Sequence, residues 1–217
     1  MELKDIETLK TDVLVIGGGA AGLRAAIAAR KRGLDVMLIS ESPVGLRNNS
    51  AIAVGIFAAA GIWKGAGDSP EVHLKDTVAG GRFLNDRRLV GVMTDGAKQQ
   101  VLDLVEMGVS FKRRDGELMV RRAPGHTYPR HVGAEEFRGA GITRPMLHYA
   151  TKLGVKFLEG ILVTRLLLTA DGVAGAFGLS RRGQSFVVSA KSTILATGGA
   201  GKLYARTNNA TGSTGDG

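Results

Sequence analysis

Gly17-Gly18-Gly19-Ala20-Ala21-Gly22 places three glycines at the spacing G-x-G-x-x-G. The chemistry this spacing serves is the grip on a pyrophosphate. Gly17 permits a tight turn, Gly19 has no side chain to hold a diphosphate off the helix N-terminus, and Gly22 lets that helix pack close to the strand before it. The first-turn N–H groups of Ala20 and Ala21, with the helix dipole, then face the phosphates. The alternative is a glycine turn packed on a sheet with no ligand. An acidic residue about 20 positions on should bind an adenosine ribose. Glu41 is the candidate, and a solvated loop charge is the equally open alternative. The motif alone does not choose between NAD and FAD.

A second glycine turn, Ala196-Thr197-Gly198-Gly199-Ala200-Gly201, follows a β-branched run far downstream. Other residues invite chemistry and carry less. His126 and His131 stand five apart, but the chain has no cysteine and only Glu135-Glu136 as nearby carboxylates, so no metal site is expected. Lys112, Arg113, Arg114, Arg121, Arg122 and Arg130 form a basic stretch with Tyr128 as its one aromatic. A stacking platform for nucleic acid needs interleaved aromatics, so a solvated or interface loop is expected, with no nucleic-acid partner.

The elements around these residues follow from the pattern. Thr11–Ile16 is a short β-branched run that ends at the glycines, as a buried parallel strand does. Ala20–Lys31 is Ala-rich and ends in basic residues before Gly33, the pattern of a helix with a glycine C-cap. Asp35–Ile39 is the next strand, completing a βαβ unit. Asn48–Ala66 is rich in small residues without a period and reads as a loop followed by a buried helical segment. Ser69-Pro70 opens one helix, Asn85-Asp86 a second running to about Glu106, and Thr143 caps a third ending at Leu153. Five strands follow: Val155–Leu158, Ile161–Leu168, Val173–Leu179, Phe186–Ala190 and Thr193–Ala196, of which the middle three form an antiparallel meander.

The composition agrees. Of 217 residues, 32 are glycine, which suits many tight strand-to-helix turns, and apolar residues at 44% exclude disorder. The absence of cysteine excludes a disulfide scaffold, a thiolate metal site and a dithiol–flavin relay. A net charge of +9 attracts anions in general. The N-terminal residues show no signal-peptide pattern, and the longest apolar run, Ala51–Trp63, is 13 residues. A transmembrane helix needs about 20, so no transmembrane segment is expected.

Two glycine turns separated by a meander are hard to place in a plain NAD domain. The strings V-I-G-G-G-A-A-G-L-R-A-A-I, A-T-G-G-A-G-K-L-Y-A-R-T-N-N and Thr214-Gly215-Asp216-Gly217, with Gly125-His126-Thr127-Tyr128-Pro129-Arg130 between them, resemble the succinate dehydrogenase/fumarate reductase flavoprotein family, which includes L-aspartate oxidase. The resemblance runs in order along almost the whole chain. It implies an α/β fold: a Rossmann-like parallel sheet of the two-dinucleotide-binding flavoprotein type, with the antiparallel meander in a crossover. It implies FAD as cofactor, held by Gly17, Gly19, Ala20, Ala21 and Gly22. The segment after the second strand would add Ser40, Glu41, Arg47, Asn48, Asn49, Ser50 and Gly55. Leu162 and Val163 would meet the adenine side, Ala196, Thr197 and Gly198 would pass close to the cofactor, and Asp216 would contact it.

The sequence also departs from the family. Respiratory members bond a histidine covalently to the flavin, and Asn48 stands at that place, so the FAD is expected to be noncovalent. The family's Gln-Gly-Gly is altered to Ala53-Val54-Gly55. The capping domain that carries the substrate arginine would begin after Thr214–Gly217, so no catalytic residue is assigned within the chain. The chain is expected to be the FAD-binding N-terminal portion, residues 1–217, of a longer oxidoreductase, folded but inactive by itself. The parent reaction implied is hydride transfer between FAD and a C4 dicarboxylate, with L-aspartate oxidase as the alternative. An FAD-dependent tRNA-modifying protein and a non-catalytic FAD module are more remote. The implied partners are a dicarboxylate substrate and an iron–sulfur or other electron-transfer subunit, in the cytoplasm or on the membrane periphery.

Overall fold

The computed structural model describes residues 6–62, 64, 65, 67–136, 138–215 and 217. The chain divides into two compact units, one of residues 1–53 with Thr143–Gly217 and the other of Val54–Ile142.

The first unit opens with β1 (Ile6–Ile16), α1 (Ala20–Lys31), β2 (Val36–Ser40) and the four-residue α2 (Asn49–Ile52). Residues 13–16 of β1 and 36–39 of β2 are buried on both faces, as strands in the middle of a covered parallel sheet must be. One face carries Leu14, Ile16, Met37 and Ile39 in a cluster with Ile161, Ala176, Phe186 and Val188. The other carries Val13, Val15, Val36 and Leu38, and α1, which buries Leu23, Ala26 and Ile27, packs against these two strands. The helix stops as the sequence predicts: Gly33 takes φ +81°, and its N–H donates to the Arg30 carbonyl.

The second unit holds β3 (Ile56–Ala58), α3 (Pro70–Gly80), α4 (Arg87–Glu106), the two-residue strands β4 (Arg113–Arg114), β5 (Glu117–Leu118) and β6 (Val120–Arg121), and β7 (His131–Gly133). Both predicted N-caps form: the Ser69 hydroxyl accepts from Val72 N–H, and the Asp86 carboxylate accepts from Arg88 and Leu89 N–H. The order expected within residues 48–66, a loop and then a buried helical segment, is reversed: the helical turn α2 comes first, with Ala51 buried, and no helix follows it among the described residues of that segment. Ile56–Ala58 instead pairs antiparallel with β7, a non-local contact that a short aperiodic run cannot announce. Trp63 and Ala66 lie outside the described residues.

The chain continues through α5 (Ala140–Lys152), whose residues from Thr143 on belong to the first unit. This helix starts three residues before the expected cap. The Thr143 hydroxyl donates to the Gly45 carbonyl at 2.6 Å, so it serves a tertiary contact and does not cap. Then come β8 (Lys156–Glu159), β9 (Ile161–Thr169), β10 (Gly172–Ser180) and β11 (Ser185–Leu195). The sheet order is β8-β2-β1-β11-β10-β9. Pairing is parallel from β8 to β11 and antiparallel from β11 to β9, the expected α/β architecture with its meander.

Two differences from the sequence-based expectation concern the same pair of strands. The runs Phe186–Ala190 and Thr193–Ala196 merge into β11, and β1 starts at Ile6, because Ile6–Thr11 pairs with Ser185–Ala190. Lys191, which looks like a loop residue, reaches Asp12 across the pair at 2.7 Å. Hydrogen bonding to that lysine comes first among the causes that hold the Asp12 carboxyl below its ordinary value.

Candidate functional site

A cleft of about 400 Å³ opens in the first unit where β1, β2 and β11 end. Small-molecule sites span roughly 300–1,000 Å³ and favour the carboxyl ends of parallel strands. The two glycine turns are its floor. Gly17 N–H donates to Ile39 O at 2.8 Å, and Ala196 N–H donates to Ile16 O at 2.8 Å. The turns abut so closely that a Cβ on Gly17, whose φ is +118°, would run into the Ala196 carbonyl, and a Cβ on Gly22 would run into the Gly17 carbonyl. Gly19 differs. Its φ of −81° suits any residue, and a Cβ would meet nothing nearer than the Ser50 hydroxyl at 3.3 Å. Gly17 and Gly22 are therefore required by the backbone, whereas at Gly19 only the Ser50 hydroxyl crowds the place of a Cβ, and the bare backbone lines the cleft beside the N-terminus of α1. That is the fit test for a diphosphate, and the turn passes it.

The structure brings together most of the residues singled out in the sequence. Gly17, Gly19, Ala21, Ser40, Glu41, Arg47, Asn48, Asn49, Ser50, Leu162, Val163, Ala196, Thr197 and Gly198 all line the cleft. Ala20 and Gly22 do not. Ala20 N–H donates to Ser50 Oγ at 3.1 Å, and Gly22 sits under Gly17. Gly55 belongs to the second unit, where its φ is +77° and the Arg138 backbone lies 3.2 Å from where a Cβ would stand. Asp216 lies outside the described residues. Glu41 follows the last residue of β2, and its carboxylate approaches Arg181 at 3.8 Å, too exposed a pair to immobilise it. Ser42, within the segment that follows the second strand, lines the cleft too, as do Thr164, Arg165, Gly212 and Ser213, to which no sequence motif points. Arg165 lies on the edge strand β9, and only the strand order places it there.

The second unit contains a polar cluster where the sequence suggests a solvated or interface loop. Arg130 is fully buried. Its guanidinium donates to Asp68 at 2.7 Å and to Asp76 at 2.8 Å. Burial pushes the Asp76 carboxyl up, but the Thr127 N–H and hydroxyl and the Arg130 guanidinium outweigh it and hold it below the ordinary value. Arg130 also lies 3.3 Å from His126 Nδ1. A guanidinium can only donate, so His126 Nδ1 accepts, and its Nε2–H is left to donate to His131 Nε2 at 3.0 Å. The two histidines are neighbours, but the described residues hold no group of three or more histidines and carboxylates placed to bind a metal.

Protonating this cluster should destabilise the second unit. Burial, then the positive charge of Arg130, pulls His73 down to about 4 from 6.5. Burial likewise lowers His126 and His131. A folded-state value below the unfolded one makes the unfolded chain bind more protons, so stability is complete above pH 6.5 and lost as pH falls toward 4. A shift of this size is worth about 3 kcal/mol. Melting followed by amide exchange within residues 54–142 should show a transition several degrees lower at pH 4.5 than at pH 7.5. Equal transitions would contradict the assignment.

Comparison with known proteins agrees with this geometry. The fold is that of a dinucleotide-binding flavoprotein domain. The model of the FAD binding domain family matches residues 12–217, and the chain belongs to that family, together with succinate dehydrogenase and fumarate reductase flavoproteins and L-aspartate oxidases. It is 34% identical over 213 residues to a fumarate reductase (CoM/CoB) polypeptide of Methanothermobacter marburgensis, covering 97% of this chain and 39% of that one. It is 32% identical to L-aspartate oxidase of Streptomyces coelicolor, covering 96% and 37%. Among solved structures, Mycobacterium smegmatis Sdh1 in complex with UQ1 superposes with a TM-score of 0.90 at 36% identity, covering 97% of this chain and 37% of that one. The chain thus spans about two fifths of the length of these relatives.

Proposed function

We propose that the chain is the FAD-binding part of a flavoprotein oxidoreductase that transfers hydride between noncovalent FAD and a C4 dicarboxylate. The observation that carries this reading is the joining of both glycine turns in one cleft that is also lined by residues 161–166 of β9. In this reading the first turn of α1 takes the pyrophosphate, Glu41 the ribose, Leu162 and Val163 the adenine side, and residues 47–50 with Ala196–Gly198 the flavin end. Bound FAD supplies two-electron hydride chemistry, and the chain supplies position and charge. The amide of Asn48 is no nucleophile toward a flavin, and the protein's own groups engage it on both ends. Acid precipitation of the holoprotein is therefore expected to leave all the flavin in the supernatant, and a flavin-labelled peptide in the pellet would contradict this.

The fumarate reductase relative supports the dicarboxylate, and an iron–sulfur or other electron-transfer subunit, in the cytoplasm or at the membrane periphery, completes the reading. No helix among the described residues is long and apolar enough to cross a membrane. The L-aspartate oxidase relative supports the second reading. The test is anaerobic, on the uninterrupted product of the gene. Reduced flavin should be reoxidised by fumarate, and oxidised flavin should resist reduction by L-aspartate. Reduction by L-aspartate would select the second reading, and inertness toward both would overturn both. The 217-residue chain loaded with FAD should give no fumarate-dependent reoxidation.

A further inference from the structure

We infer that Asn48, Asn49 and Asn209 form a clasp that joins the first glycine turn to the loop after the second and sets the shape of the cofactor cleft. The inference rests on the FAD reading of that cleft.

The clasp begins at Asn48. Its Oδ1 accepts from Ala51 N–H at 3.0 Å, capping α2. Its Nδ2 donates in the other direction, to Gly18 O at 3.2 Å and Leu46 O at 2.9 Å. One amide thus holds the short helix and the glycine turn together, a task for which an acceptor alone is not enough. Ser50 adds a second tie by accepting from Ala20 N–H. Asn49 continues the link. Its Oδ1 accepts from Ala210 N–H at 2.7 Å, and its Nδ2 donates to Asn209 Oδ1 at 2.6 Å. Asn209 is fixed in turn by Thr207, whose hydroxyl accepts from the Asn209 backbone N–H and Nδ2 at 3.1 and 3.0 Å. Its side chain also fills the space beside Gly201 that a Cβ would take.

A four-residue helix is too short to hold itself in water, so residues 49–52 depend on these ties. Asn48, Asn49 and Ser50 line the cleft, whereas Asn209 is not among its lining residues. An effect of Asn209 on FAD must therefore travel through Asn49. Asn48, Asn49 and Asn209 are positioning residues: they preorganise the wall against which the cofactor seats, and preorganisation shows as affinity.

The test separates the clasp from ordinary helix capping. FAD dissociation constants are measured by flavin fluorescence for wild type, N48A, N48S, N209A and N209D, with the melting temperature of each. Serine caps a helix as well as asparagine but lacks the donor that reaches Gly18 O. N48S should therefore bind FAD about tenfold more weakly than wild type, the scale of one or two lost hydrogen bonds, and N48A, which also loses the cap, more weakly still. N209A should bind several-fold more weakly. N209D keeps the acceptor for Asn49 but loses the donor to Thr207, so it should bind FAD more tightly than N209A and more weakly than wild type. N48S or N209A binding like wild type would overturn the clasp. A second arm needs no cofactor: in the apoprotein, trypsin should cut after the exposed Arg47 several-fold faster in N209A than in wild type. Equal cutting also overturns the clasp. Absence of FAD binding by wild type would instead overturn the reading of the cleft, while the tryptic arm still decides the clasp.

Discussion

Valine at position 19 should abolish FAD binding and leave the fold intact. The backbone there is extended and without strain, and the Cβ would stand 3.3 Å from the Ser50 hydroxyl, which must give by a few tenths of an ångström. The branched side chain would then stand where the phosphates must approach the first turn of α1. A hydrogen bond from the Ala21 N–H to a charged phosphate is worth about 1.5–3 kcal/mol, and the helix dipole adds up to about 2 kcal/mol, so the loss should reach about 100-fold. The melting temperature should stay within a few degrees of wild type. Alanine at Gly22 makes the contrast. Its Cβ has nowhere to go against the Gly17 carbonyl, so that variant should lose both FAD and stability. A Gly19→Val protein that stayed yellow with unchanged affinity would remove the phosphate role from this turn.

The second large effect is expected within the second unit. Replacing Arg130 with methionine leaves Asp68 and Asp76 without their shared cation, and the Asp68 side chain is 1% exposed. Breaking a buried ion pair from one side costs about 3–5 kcal/mol, a large share of the roughly 5–15 kcal/mol that holds a domain together. The second unit should melt early in urea. Lysine should rescue only in part, because one ammonium cannot replace a fork that reaches two carboxylates and a histidine. The triple variant R130M/D68N/D76N should recover much of the loss, since no unpaired charge remains buried. If Arg130→Met melted like wild type, the network would have no structural weight.

How far the sequence revealed this molecule depends on which contacts were local. α1 and β2, the glycine turn, and the Ser69 and Asp86 caps are fixed by neighbours within a few residues, and the sequence shows them with boundaries within about a residue. The first half of β1 is polar and largely exposed, and its strand character comes from β11, some 180 positions away. The same distance hides the merging of the two runs into β11. Thr143 has the chemistry of a cap, and the Gly45 carbonyl claims its hydroxyl instead. The core of the candidate site was legible because phosphate binding needs glycines at fixed spacing. Its far wall was less so: Arg165, Gly212 and Ser213 belong to no local pattern. The burial of Arg130 is hidden in the sequence because charge in a basic turn-rich stretch ordinarily means solvent, and its carboxylate partners lie 54 and 62 residues upstream.

The central claim is that the cleft at the strand ends binds FAD through its ADP half. Titrating the apoprotein with FAD while following flavin fluorescence tests it directly, with ADP and FMN as separate competitors. The account predicts saturable binding of one FAD per chain, displacement by ADP, lack of displacement by FMN at equal concentration, and loss of all of it in Gly19→Val. Unsaturable binding, or displacement by FMN with no effect of ADP, would contradict it.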